Sequence, residues 1–198
     1  MIDFWFSIGS TYTFLSVMRL AKVERDSGVA FRWRPFSVRQ IMVEQNNIPF
    51  RTKPVKMAYM WRDIERRAAM YGLSARLPAP YPLPQWDVAN RVAVLASAQG
   101  WVGDYARATF RRWFEDGLEP GSEPNLSASI EECGQDPRDV VSLAAGEEIG
   151  DVYEAATAEA RALGVFGSPT FAVGNELFWG DDRLDDAITW YRRGSLAS

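Results

Sequence analysis

Residues 2–33 decide the fold: Ile2-Asp3-Phe4-Trp5-Phe6, then Ser7-Ile8-Gly9-Ser10-Thr11-Tyr12, then Thr13-Phe14-Leu15 onward to Gly28, then Val29-Ala30-Phe31-Arg32-Trp33. The first five are short, apolar and aromatic, the texture of a buried strand. Ser7 to Ser10 reads as a turn. Beyond it Phe14, Leu15, Met18, Leu20 and Ala21 recur at helical spacing, and Gly28 supplies a stop. Val29 to Trp33 then predicts a second strand. Strand, helix and strand at this spacing make a βαβ unit, whose two strands pair in parallel through a right-handed crossover.

The other end of the chain returns to the same texture. Thr170 to Val173, a Gly174-Asn175 turn and Glu176 to Trp179 predict a hairpin. Asp181 or Asp182 is placed to cap a last helix, on which Leu184, Ala187, Ile188 and Tyr191 share a face. The stretch between is helical. Helices are expected over Lys56 to Tyr71, around Val88 to Leu95, around Tyr105 to Phe114, from the Asp136-Pro137 cap to Gly146, and around Val152 to Leu163. A loop with four prolines spans Leu73 to Pro84. A βαβ unit followed by ββα builds one four-stranded sheet with helices on both faces. The middle is too long to be a loop and is expected to form a helical insertion. The expected division is 1–36 with 164–198 as a discontinuous α/β domain, and 37–163 as the insertion.

Composition narrows the chemistry. The 198-residue chain has 47% hydrophobic and 24% charged residues, which fits a globular domain with a sizeable core. Its net charge of -4 argues against a phosphate-binding surface, so no nucleic-acid partner is expected. It has no histidine, which removes Ser-His-Asp and Cys-His catalysis and imidazole-based zinc sites, so no metal is expected. The one cysteine, Cys133, rules out a CxxC motif and an intrachain disulfide. Met1-Ile2-Asp3 leads straight into the first strand without a basic, leader-like region, and no apolar run is long enough to span a bilayer. The expectation is a cytoplasmic protein with no membrane partner.

Four segments are placed to carry chemistry. Ser10 stands at the junction of strand and helix, where ligands of open α/β sheets bind and where a helix N-terminus favours an anion such as a thiolate. Ser10 also reads simply as the helix N-cap, and the two roles are compatible. Ser168-Pro169 precedes a strand. It reads as a turn, and its backbone could also pair with a peptide-like ligand. Asp181 and Asp182 read as a helix cap or as holders of an amino-acid head group. Asn47-Ile48-Pro49 with Lys56 says little alone, since a lysine at a helix start is usually solvated.

Together these pieces resemble a known family. Asp3-Phe4-Trp5-Phe6 with Ser10-Thr11-Tyr12 and Leu15, Gly164 to Phe171, Leu177 to Leu184, and Lys56 with Tyr59 and Asp63 resemble 2-hydroxychromene-2-carboxylate isomerases and kappa-class glutathione transferases. These belong to the DsbA-like branch of the thioredoxin superfamily. The resemblance implies a thioredoxin-like fold, a glutathione cofactor and a small aromatic substrate. It implies that Ser10 hydrogen-bonds the glutathione sulfur and that Ser168, before a cis Pro169, pairs by backbone with the cysteinyl part. Asp181 and Asp182 would hold the γ-glutamyl head, and Asn47 and Lys56 would reach the glycyl end or the substrate. Members are often homodimers.

Two positions depart from the family pattern. Thr11 stands where proline is usual and is expected to add a hydroxyl near the sulfur. Pro84-Gln85-Trp86-Asp87 stands where an asparagine is often found near the start of a helix, and Trp86 is expected to reshape the substrate pocket. Arg34 or Lys56 is a charge-based choice for a substrate carboxylate. The implied activity is glutathione-dependent isomerisation by reversible thiolate addition. A glutathione transferase and a non-catalytic binding protein of the same fold are the alternatives. Disulfide exchange is excluded at this turn, because Ser10 has no thiol to offer.

Overall fold

Strand β1 (Ile2–Phe6) pairs in parallel with β2 (Phe31–Pro35) and antiparallel with β3 (Thr170–Val173), which pairs antiparallel with β4 (Glu176–Trp179). The sheet order is β2-β1-β3-β4, so strands from the two ends of the chain meet at its centre. These are features of a computed structural model that describes residues 1–47, 50 and 53–197. The second strand lies two residues later than the apolar run suggested, because Ile2 pairs with Phe31 rather than with Val29.

Helix α1 (Thr13–Ser27) makes the crossover and ends at Gly28 in the left-handed conformation. Then follow α2 (Val38–Glu44), α3 (Pro54–Met70), α4 (Trp86–Gln99), α5 (Val102–Arg111) with a π-helical turn Arg112–Asp116, α6 (Asn125–Glu132), α7 (Pro137–Ala145) and α8 (Glu147–Leu163). A 3-10 turn, Asp181–Arg183, precedes α9 (Leu184–Arg193). Asp181 and Asp182 therefore do not cap α9 with their side chains as expected; they open the turn before it. Helices α2 and α6 have no counterpart in the sequence expectations.

Alternation along β1 sorts its side chains between two faces. Ile2, Phe4 and Phe6 face one way, and Phe4 stacks on Phe6 and Phe171 and meets Trp33 edge to face, with ring centroids 5.0–5.4 Å apart. Trp5 faces the other way, with Phe36, Val38, Ile41 and Ala160. The first face continues without a break into the helical middle: Phe14 of α1 stacks on Phe114 at 4.0 Å, and Tyr105, Phe110 and Trp113 belong to the same buried cluster. Fully burying one such ring contributes about 2–3 kcal/mol. The shared core holds α3 and α4 over the ends of β1 and β3, and a cleft opens there.

Candidate active site

The cleft has a volume of about 980 Å³. Its floor is the β1–α1 loop and the Ser168-Pro169 segment. One wall is α3, another is α2 with the start of α4 and the proline-rich loop, and the β4–α9 turn closes one end. Ser10, Asn47, Lys56, Ser168, Pro169, Asp181 and Asp182 all line it. Ile48 and Pro49 of the Asn47 motif lie outside the described residues.

At the floor, the Ser10 hydroxyl donates to the Ser168 carbonyl at 2.5 Å. The reading of Ser10 as N-cap is corrected: the cap position is Tyr12, and no side chain caps α1. The first turn of α1 also carries no acidic residue, so the positive end of the helix is not neutralised locally and remains available to an anion beside Ser10. Gly9 adopts φ 121°, a conformation that side chains disfavour, and this lets the loop turn into the cleft. The Ser168-Pro169 bond is cis. The Ser168 side chain points into the protein, where its Oγ accepts from the Ser7 N–H at 2.9 Å and shares a hydrogen bond with Thr13 Oγ1 at 2.8 Å. Its backbone is what the cleft meets.

The loop is clamped from behind by Asn90, which is fully buried on α4. Its side-chain oxygen accepts from the Ile8 N–H at 2.8 Å, and its amide donates to the carbonyls of Ile8 and Trp86, each at 2.8 Å. The helix after the proline-rich loop thus carries an asparagine after all, one turn further in than the Trp86-Asp87 positions. Thr11 is also corrected. Its hydroxyl donates to Met60 Sδ at 3.0 Å and is 5% exposed, so it is turned into the protein rather than offered beside Ser10.

Helix α3 faces the cleft with one stripe: Lys56, Met57, Tyr59, Met60, Asp63 and Arg67, spaced three or four apart around its turns. Asp63 accepts from the Tyr12 hydroxyl at 3.0 Å and from Arg67 Nε at 3.3 Å. Burial, with the Asp63 carboxylate accepting its proton, pushes the Tyr12 phenol far above its ordinary range, so Tyr12 acts as a donor. Burial opposes the charge on Arg67, but Asp63 and the more distant Asp182 outweigh it and keep the guanidinium charged.

Asp181 and Asp182, paired in the sequence expectation, are not equivalent. Asp181 is 2% exposed, and its carboxylate is already engaged: Oδ1 with Ser16 Oγ at 2.9 Å and Arg19 Nε at 3.1 Å, Oδ2 with the Tyr71 hydroxyl at 3.0 Å. It anchors the β4–α9 turn to α1 and α3. Asp182 is exposed and turned toward solvent and the cleft. Beside this turn, Trp179 lies so close over Gly167 that a Cβ there would sit 2.2 Å from its indole nitrogen.

The opposite end is aromatic and cationic. Phe50 and Tyr81 meet edge to face at 6.1 Å, Trp86 sits against Gly9, and Met42 and Leu83 complete the apolar lining. Arg39 from α2 reaches over Trp86, its guanidinium carbon 5.9 Å from the ring centroid. Lys56 lies 5.8 Å from the Phe50 ring. Arg34 is absent from the cleft; it pairs with Glu159 and covers Trp5. Sequence reasoning missed Asn90, Arg39 and α2 as a whole. A signal for α2 was present: Ser37-Val38-Arg39-Gln40 has the spacing of a capping box, and Ser37 Oγ does accept from the Gln40 N–H.

The chain's thiol, Cys133, does not line the cleft, and it donates to the Ser129 carbonyl at 3.2 Å. Burial, with Asp104 and Glu132 nearby, pushes it up to about 11. The cleft therefore combines a hydroxyl donor, a helix N-terminus and several cations. Among the described residues that line it there is neither imidazole nor thiol.

Comparison with known proteins identifies the family and its relatives. The family model described as DSBA-like thioredoxin domain matches residues 1–189. A 2-hydroxychromene-2-carboxylate isomerase of Sphingobium xenophagum is 28% identical over 186 residues, covering 93% of this chain and 94% of its own. One from Pseudomonas putida is 26% identical, covering 93% and 90%. A solved 2-hydroxychromene-2-carboxylate isomerase structure superposes with a TM-score of 0.85 at 26% identity, over 100% of this chain and 99% of that one. A cytosolic disulfide reductase of Pseudomonas aeruginosa, solved with GSH, shares the fold at TM-score 0.64 and 16% identity, over 98% of both chains.

Proposed function

Since the chain belongs to the DSBA-like thioredoxin domain family, we propose that it is a glutathione-dependent isomerase that converts 2-hydroxychromene-2-carboxylate to trans-o-hydroxybenzylidenepyruvate in the degradation of aromatic compounds. The observation that carries this reading is the floor of the cleft. Ser10 offers a hydroxyl donor beside an unneutralised helix N-terminus, and the lining residues include no thiol or imidazole of their own. Such a site is equipped to stabilise an anionic sulfur that arrives with a ligand. The names of the relatives, matched over nearly their whole length, support the same reaction.

The donor set fits glutathione. The stripe from Lys56 to Arg67 runs about 16 Å along α3, room for an extended tripeptide of roughly 10 Å with charged ends. In this reading Ser10 and the Ser168 backbone, ahead of Pro169, meet the cysteinyl part in the middle. Asp182 and Arg67 meet the γ-glutamyl ammonium and carboxylate, with Asp181 holding their turn in place. Lys56 and Asn47 meet the glycyl end. Bound glutathione would supply a nucleophilic sulfur that adds to an unsaturated carbon and leaves it again without being consumed. To act on that sulfur, Ser10 turns its one hydrogen from the Ser168 carbonyl to the ligand, which lowers the pKa of the thiol, and the N-terminus of α1 favours the same charge. Phe50, Tyr81 and Trp86 shield the reacting carbon from water.

Calorimetric titration with reduced glutathione, followed by an assay on 2-hydroxychromene-2-carboxylate, tests the proposal. Saturable binding and isomerisation with the glutathione concentration unchanged are expected. Stoichiometric loss of glutathione would make the protein a transferase. No binding up to millimolar glutathione would leave a non-catalytic binding protein.

A further inference from the structure

We propose that Arg39 is the specificity-determining residue of the cleft, binding the carboxylate of a flat aromatic substrate whose ring lies on Trp86. The substrate class rests on the function proposed above; the assignment of the residue rests on geometry. Three cations line the cleft, and they differ in what holds them. Arg67 pairs with Asp63 at 3.3 Å and stands at the end assigned to the γ-glutamyl group, away from Trp86. Lys56 and Arg39 are both exposed, and Lys56 differs in carrying a point charge rather than a planar fork and in lying over Phe50 rather than Trp86. Arg39 has no carboxylate within ion-pair distance among the described residues, and its guanidinium rests 5.9 Å from the Trp86 ring, near the outer limit of a cation–π contact.

Its position matters more than its charge alone. Trp86 Cβ lies 3.6 Å from where a Gly9 Cβ would stand, and Trp86 and Ser10 line the same cleft, so a ring lying on Trp86 shares that cleft with the Ser10 hydroxyl. The planar fork of Arg39 can take both oxygens of a carboxylate while the ring stays on the indole. Phe50 and Tyr81 bound the same space from the other side. The backbone of α2 that carries Arg39 is capped by Ser37.

The test is binding of 2-naphthoate and of its uncharged counterpart 2-naphthamide, measured by calorimetry on the full chain without glutathione. The wild type is expected to prefer the carboxylate by about tenfold, the size of one charge-assisted contact. Arg39→Gln is expected to bring the two ligands to equal affinity, and Arg39→Lys to restore part of the preference. Trp86→Leu is expected to weaken both ligands and keep their ratio. A preference unchanged in Arg39→Gln, a preference lost only in Lys56→Gln, or no binding of either ligand to the wild type would overturn the proposal. Because neither glutathione nor turnover enters, failure of the isomerase reading shows separately, as absent turnover beside intact naphthoate binding.

Discussion

The Ser10 hydroxyl reaches the Ser168 carbonyl at 2.5 Å across 158 residues of sequence, and this bond ties the two halves of the cleft floor together. Ser10→Ala removes one partly buried hydrogen bond. Unfolding stability should fall by about 1 kcal/mol in urea denaturation. Under the mechanism proposed above, glutathione-supported turnover should fall at least about tenfold, because the sulfur would lose its donor. Turnover equal to wild type would remove Ser10 from the mechanism.

Asn90 is a buried clamp with no exposed part to lose. Asn90→Ala leaves the Ile8 N–H and carbonyl without their partner inside the protein. A loss of about 3 kcal/mol is expected on denaturation, with lower turnover because the Ser10 loop is released. A loss below about 1 kcal/mol would mean that water replaces the amide.

The two acids of the β4–α9 turn should separate cleanly. Asp181→Ala strips Arg19, whose side chain is 13% exposed, of its main partner and should cost about 3 kcal/mol. Asp182→Ala should leave the thermal midpoint nearly unchanged and weaken glutathione about tenfold in calorimetry. The reverse pattern would assign the ligand to Asp181.

Gly167→Ala places a methyl group where the Trp179 indole lies, so Trp179 must move. Since Trp179 is 54% exposed, the cost should stay within about 1 kcal/mol, because the ring can swing into solvent. A red shift in tryptophan emission and weaker ligand binding should accompany it.

Cys133 should be inert in the folded protein. With its thiol pushed up to about 11, the thiolate fraction at pH 8 is about a thousandth, against about a quarter for an unperturbed thiol. Iodoacetamide should therefore modify it about a hundredfold more slowly in buffer than in denaturant. The sign for stability follows from the same shift. The unfolded thiol ionises first, so stability is intact below about pH 9 and declines toward pH 11.

What could be read from the sequence was local. The β1–α1–β2 unit, the hairpin and the Asp136-Pro137 cap announce themselves through periodicity and turn residues. In the structure Asp136 does accept from the Arg138 and Asp139 N–H groups. The residues placed at the site by resemblance to a family all line one cleft. What escaped was the direction of side chains once the chain packs. Nothing local tells that Thr11 turns toward Met60, that Asp181 faces Arg19 while Asp182 does not, or that Arg34 settles on Trp5. Asn90 looked like an ordinary helical residue because Ile8, the loop residue it clamps, lies 82 residues away. Arg39 gained meaning only once α2 carried its guanidinium over Trp86 of α4.

The central strand of the sheet has its parallel neighbour close by in sequence and its antiparallel neighbour near the chain's end. During synthesis, β1 and β2 can associate early, yet the other edge of β1 waits for β3. The cleft floor is therefore finished last, after the whole helical middle has emerged. A ribosome-bound fragment ending before Ser168 would present β1 with one bare edge and Ser10 without its Ser168 partner, a form open to unwanted strand pairing. Truncation ahead of Ser168 should therefore yield aggregate rather than a partly working cleft.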